Sequence, residues 1–159
     1  MPTTQSTPVQ IQALTGHYPS INNRIITPVE LKNVLTQQVL QTTGLWDTGA
    51  TNSVVTKSAA KALGLRAITR AIARGVHGKK RVNVYYVNIT LNKTNITLNA
   101  RVTECEELSF DNSVGLLIGM DIITMGDFAV TNYQGKTVMS FRVPSVQKID
   151  FMETFEDWR

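Results

Sequence analysis

A chain of 159 residues has room for one ordinary core and too little for two. Its 42% apolar and 18% charged residues exclude a disordered chain, and no apolar run reaches the roughly 18 residues that a membrane span needs. The net charge of +4 is modest, and a lone cysteine, Cys105, excludes an internal disulfide framework and a thiolate metal site; it reads as a small, partly buried side chain.

Residues 1–23, opening "MPTTQSTPVQIQALTGHYPS", are polar and aperiodic and read as a flexible N-terminal arm. They show neither the basic n-region nor the apolar h-region of a secretory signal, so the expected location is cytoplasmic. Order is expected from Arg24. "RIITPVELKNVLTQQVLQTTGLWD" reads as two strands that reverse near Thr36 to Gln38 and deliver Asp47 at the end of the second. Pro28 cannot donate to a ladder and favours a sheet edge for the first of them. In "SVVTKSAAKALGL" the period changes: Thr56 can cap a helix from about Lys57 to Leu63, and Gly64 can end it in the left-handed conformation.

"AITRAIARGVHGKKRVNVYYVNITL" reads as a long hairpin with Gly75, Val76, His77 and Gly78 at its tip, where glycine permits positive φ. Arg66, Arg70, Arg74, Lys79, Lys80 and Arg81 run through this region with no acid among them. Such a patch suits acidic peptides, nucleic acid or anionic lipid. With no interleaved aromatic residue to stack on bases it reads as a solvated hairpin, and no nucleic-acid partner is expected. The sequons at Asn88, Asn92 and Asn95 read as strand and turn chemistry, with a turn over Asn92 to Asn95. After "ITLNARVT" and the acidic loop "ECEELSFDN", Val114 to Ile118 form an apolar strand that Gly119 breaks. Met120 to Met125 can then make one or two helical turns closed by Gly126. "FAVTNYQGKTVMSFRV" is a hairpin around Tyr133 to Gly135, and Pro144 ends the regular domain. The expected fold is mainly β, a closed or orthogonally packed barrel with one or two short helices. Its parts are an arm over 1–23, a domain over 24–143 and a tail over 144–159 that is a short amphipathic helix, a partner-binding segment or a frayed end.

"GLWDTGATNSVV" places a carboxylate, Asp47, directly after large apolar residues, where an ionised group is costly unless hydrogen-bonded or sharing charge. "LWDTGATNSVV" resembles the active-site loop of aspartic proteases, in its retroviral Asp-Thr-Gly-Ala form. "LLIGMDII", some seventy residues on, resembles that family's second signature, and the "GVHG" tip stands where the family has its substrate-covering flap. The pattern is closest to single-domain members, the retropepsins and proteases of the DNA-damage-inducible type, and covers about Arg24 to Val143.

The resemblance implies an aspartic endopeptidase with the retropepsin-like barrel, using Asp47 as catalytic residue and no metal or cofactor. Gly49 lets backbone amides close around the carboxylate, Thr48 reaches across to a partner's identical loop, and Leu45 with Trp46 anchors the strand beneath. Leu117, Ile118 and Gly119 pack under the loop, and Gly75, Val76, His77 and Gly78 cover the substrate, although His77 also suits an exposed turn. Only one Asp-Thr-Gly is present, and neither Asp121 nor Asp127 is followed by Thr/Ser-Gly, so a homodimer must bring two Asp47 residues together. Two carboxylates in one site cannot both ionise and share a proton, which supplies an acid and a base to a water between them. Ala50 lacks the hydroxyl that two-lobed relatives carry there, which implies an activity optimum at mildly acidic to near-neutral pH. No acid–arginine pair is expected between Thr51 or Asn52 and Met120. The partners implied are a second copy of the chain and a peptide or protein substrate. The alternative is an inactive dimerisation or peptide-binding module that keeps the fold.

Overall fold

The computed structural model describes residues 9–75, 78–91 and 94–155. Within these residues ten strands run in chain order: β1 (Gln12–His17), β2 (Ile26–Lys32), β3 (Val39–Trp46), β4 (Val54–Thr56), β5 (Thr69–Gly75), β6 (Gly78–Leu91), β7 (Thr97–Cys105), β8 (Val114–Ile118), β9 (Asp127–Thr131) and β10 (Val138–Val143). Among the described residues three short helices, α1 (Lys57–Ala62), α2 (Met120–Ile123) and α3 (Phe151–Phe155), and a 3-10 turn at Tyr133–Gly135 accompany them.

Strands pair in the order β2-β3-β8-β4-β7-β6, and β6 returns to β2, so six strands close into a barrel. Closure removes the sheet edges that would otherwise expose unpaired backbone. Its interior is set by the two-residue period. Tyr85, Val87, Ile89 and Leu91 of β6 face inward with Val102 of β7, Leu31 of β2, Val55 of β4 and Leu116 and Ile118 of β8, all buried. Gly44 is forced by this crowding, because a Cβ there would lie 2.8 Å from Ile118 Cδ1 and 2.9 Å from Val29 Cγ1. β5 extends beyond the barrel as the outer strand of a hairpin with β6, in register from Thr69–Val84 to Gly75–Gly78. Val76 and His77, expected at its tip, lie outside the described residues, as do Asn92 and Lys93 of the expected turn.

α1 follows its local code. The Thr56 hydroxyl accepts the Ala59 N–H at 3.2 Å, and Gly64 takes φ +60° just beyond the C-cap. α2 stops at Ile123, shorter than the expected run to Met125. Gly126 is required by contact, since a Cβ there would lie 1.8 Å from the Arg142 carbonyl oxygen of β10.

Three expectations are corrected. The segment read as a flexible arm contains β1, which pairs antiparallel with β10 from Gln12–Val143 to His17–Val138. β2 is not an edge strand, because Val29 to Lys32 pair with β6 as well as β3. Pro28 is tolerated because it sits one residue before that two-sided stretch. Of the two residues expected to anchor β3, Trp46 does so, whereas Leu45 points to the other face and is half-buried.

β1, β10 and β9 form a second, three-stranded sheet packed against the barrel. Leu14, Phe141 and Phe128 lie in one cross-strand row, and the Trp46 ring packs on it with centroids 5.3 Å from Phe128 and 5.0 Å from Phe141. Trp46 Nε1 donates to the buried Thr27 hydroxyl at 2.9 Å, so the indole joins both sheets with its polar atom satisfied.

Beyond β10 the chain is turned by Asp127. Its carboxylate accepts from the Ser145 hydroxyl at 2.5 Å, the Val146 N–H at 2.8 Å, Arg142 Nε at 2.7 Å and the Gln147 N–H at 3.3 Å. Those donors, the Ser145 hydroxyl first, then the Val146 amide and the Arg142 guanidinium, hold the carboxyl well below the ordinary range. A depressed folded pKa contributes stability above the unfolded value, and that contribution is lost as pH falls through the folded value. Asp127→Asn is therefore expected to lower the melting temperature at neutral pH, with the difference from wild type disappearing in strong acid. An equal deficit at both pH values would contradict this role.

Candidate active site

β3 runs out of the barrel beside β8, to which it pairs in parallel, Leu45 with Leu117 and Trp46 with Ile118. The chain then crosses the barrel end as the loop Asp47 to Asn52 before re-entering as β4. The Asp47 N–H donates to the Ile118 carbonyl at 2.9 Å, the Asp47 carbonyl accepts the Ala50 N–H at 3.2 Å, and Asp47 Oδ1 accepts the Gly49 N–H at 2.8 Å. The carboxylate is half-buried, while Thr48 and Gly49 are exposed. Among the described residues no cation lies within ion-pair distance of Asp47. The loop thus presents a rigidly based carboxylate at an open face of the chain.

The Gly119 segment locks this loop from below. Met120 N–H donates to the Ala50 carbonyl at 2.8 Å and Asp121 N–H to the Thr51 carbonyl at 3.1 Å. Gly119 is buried, and a Cβ on it would meet the Asn52 carbonyl carbon at 2.7 Å and the Ala50 carbonyl oxygen at 2.9 Å. Leu117 is half-buried and Ile118 fully buried beneath the loop. Asp47, Thr48, Gly49, Ala50, Leu117, Ile118 and Gly119 therefore come together in space. Gly75 and Gly78 lie in the separate β5–β6 hairpin, where Gly78 takes φ +106° with open space around it.

Two residues of this assembly escape a sequence reading centred on catalytic carboxylates. The fully buried Ser53 hydroxyl accepts the Gly119 N–H at 3.0 Å and donates to Asp121 Oδ1 at 2.7 Å, while Ser53 N–H donates to Asp121 Oδ2 at 3.0 Å. Asp121 is a brace joining the C-terminal end of the loop to α2. The signal was a polar residue at the head of an apolar strand and an acid at the first turn of a helix, which satisfy each other across 68 positions. Hydrogen bonds to a charged acceptor contribute about 1.5–3 kcal/mol each. Asp121→Ala is expected to destabilise the fold by about 2–4 kcal/mol in thermal or denaturant unfolding. Asp121→Asn, which keeps an oxygen for Ser53, should lose less, and wild-type stability in the alanine variant would contradict the brace.

The Cys105 thiol lies away from this assembly; burial, then Glu106 and Glu104, push it up to about 11, so it is protonated at neutral pH. Among the described residues no three His, Cys, Asp or Glu side chains gather as a metal site. Nor is any helix among them long and apolar enough to cross a membrane.

A protein-family model described as "Aspartyl protease" matches residues 28–122, a stretch containing both the Asp47 loop and the Gly119 segment. Among solved structures, a retropepsin-like aspartic protease from Rickettsia conorii is similar at 13% identity, over 87% of this chain and 99% of that one, with a TM-score of 0.50. The Simian Foamy Virus (mac) protease is similar at 21% identity over 61% and 91% of the two chains, TM-score 0.41. The retroviral protease-like domain of Ddi1 from Leishmania major is similar at 18% identity over 82% and 99%, TM-score 0.45. No curated protein matches the sequence.

Proposed function

The chain belongs to the aspartyl protease family, and on that premise we propose that it is an aspartic endopeptidase whose site is completed by a second copy of itself. The observation that carries this reading is the Asp47 loop. One carboxylate per chain stands on a braced loop at an open face, and among the described residues no cation forms an ion pair with it. A two-fold axis beside that face would set Asp47 against Asp47 of the partner subunit, an isologous contact that closes on itself. Thr48, exposed at the same face, is available to the partner's loop.

With one proton shared by the pair, the ionised Asp47 takes a proton from a water held between the two carboxyls as the water oxygen bonds to the scissile carbonyl carbon. The protonated partner gives its proton to the carbonyl oxygen, leaving a neutral tetrahedral diol. The Asp47 that took the water's proton then gives it to the amide nitrogen while the ionised partner takes a proton from one diol hydroxyl; the C–N bond breaks, releasing an amine and a carboxylic acid, and the pair returns to its singly protonated state. The two carboxyls relay every proton between the water and the substrate. The Gly75 to Gly78 tip, with Val76 and His77, is assigned to covering an extended peptide and donating backbone hydrogen bonds to it. The protease unit is taken as residues 24–143, with β1 docked onto it from the segment before.

Incubation of the purified chain with a peptide library, alongside Asp47→Asn, tests this reading. Cleavage by the first alone supports it. An intact dimer that binds peptides and cleaves none favours a peptide-binding module on the same fold.

A further inference from the structure

We propose that the inner face of the β5–β6 hairpin is a cationic recognition surface that selects acidic peptide segments as substrates; this rests on the protease reading above. The register defines the face. Along β6 the side chains that fill the barrel are Tyr85, Val87, Ile89 and Leu91, and the same alternation continues outward through Asn83, Arg81 and Lys79. Their partners across the hairpin, which share that face, are Arg70 opposite Asn83, Ile72 opposite Arg81, and Arg74 opposite Lys79. This face is continuous with the one that lines the barrel interior.

The two faces differ in charge. The outer one carries Thr69, Ala71, Ala73, Val82, Val84 and Lys80. Lys80 donates to Glu106 at 2.7 Å, and Lys57 lies 3.8 Å from the same carboxylate, so this face is close to neutral. The inner one carries Arg70, Arg74, Lys79 and Arg81, all exposed, around an exposed Ile72. Among the described residues none of these four cations enters an ion pair. Glu106 is paired as above, and the Glu104 carboxylate, held by the Tyr85 hydroxyl and by Asn83 Nδ2, the latter at 3.3 Å, is one acid beside the four cations of the inner face.

Four cations with one carboxylate at their base leave this strand pair with an excess of like charge, which a ligand carrying counter-charge relieves. An extended peptide with Asp or Glu at alternate positions meets that requirement and offers an aliphatic contact to Ile72. Nucleic acid is disfavoured, since no aromatic side chain lies among the six residues of the face to stack on a base.

The test uses two fluorogenic peptides with one cleavable sequence, flanked by Glu in one and by Gln in the other. The wild-type chain is expected to favour the Glu peptide in kcat/KM by about tenfold at low salt, shrinking as salt is added. Combined Arg70→Gln, Arg74→Gln, Lys79→Gln and Arg81→Gln should bring the ratio near one, whereas Lys80→Gln on the outer face should keep it. A wild-type ratio of one, or an equal collapse in Lys80→Gln, would overturn the proposal. Fluorescence anisotropy with Asp47→Asn reads binding without cleavage. Preference for the Glu peptide there, with no hydrolysis by wild type, would sink the protease reading and leave the acidic selectivity standing. Binding of a single-stranded oligonucleotide that the Glu peptide fails to displace would sink the selectivity.

Discussion

Replacing Asp47 by Asn is expected to remove peptide cleavage while leaving the fold in place. The asparagine Oδ1 can still accept the Gly49 N–H that Asp47 accepts at 2.8 Å, and the loop's backbone bonds to Ile118, Met120 and Asp121 are untouched. What disappears is a group able to take and return a proton, a contribution of about 10²- to 10⁴-fold for general acid–base catalysis. In the proposed dimer the two carboxyls act as a unit, so a dimer with one Asn is expected to be as inactive as one with two. Refolding equal amounts of wild type and Asp47→Asn together leaves about one quarter of dimers with both carboxylates, and activity should fall to that fraction. Activity that falls only to half would mean each carboxylate works alone. Cleavage that survives complete replacement would falsify the catalytic role.

The largest effect on stability is expected at Trp46. Its ring packs on Phe128 and Phe141, and through them holds the β1-β10-β9 sheet on the barrel. Trp46→Ala opens a cavity at that junction, for which large-to-small aromatic replacements cost about 3–5 kcal/mol. Against a domain stability of about 5–15 kcal/mol, this should move the denaturation midpoint strongly or prevent folding at ambient temperature. Trp46→Phe keeps much of the stacking and isolates the polar part. The Thr27 hydroxyl, 2% exposed, then loses its indole donor. An unsatisfied buried group costs about 1–3 kcal/mol, so the phenylalanine variant should lie between wild type and alanine. Equal midpoints for wild type and Trp46→Ala would contradict the junction.

Features with a local cause were the ones legible in the sequence. Thr56 caps α1 through the amide three residues on, Gly64 takes the positive φ that ends it, and Val114 to Ile118 form the buried strand their continuous apolar run indicates. The Asp47 loop and the Gly119 break were readable as motifs, and the fold sets them side by side. Features made by distant partners were not. β1 buries only Leu14 and is held by a ladder to β10, more than a hundred residues away, so its own pattern carries almost no strand signal. Pro28 argued for an edge because nothing local shows that β6 joins β2 one residue later. Asp121 could be dismissed as a catalytic acid from its neighbours, but its bond to Ser53 exists only in the folded chain.

The distance between the two Asp47 carboxylates in a crystal structure of the active dimer is the most direct measurement. The account predicts oxygens about 3 Å apart across a two-fold axis, close enough to hold one proton and one water between them. A chain that cleaves peptides as a monomer, or a dimer whose Asp47 residues face away from each other, would contradict it.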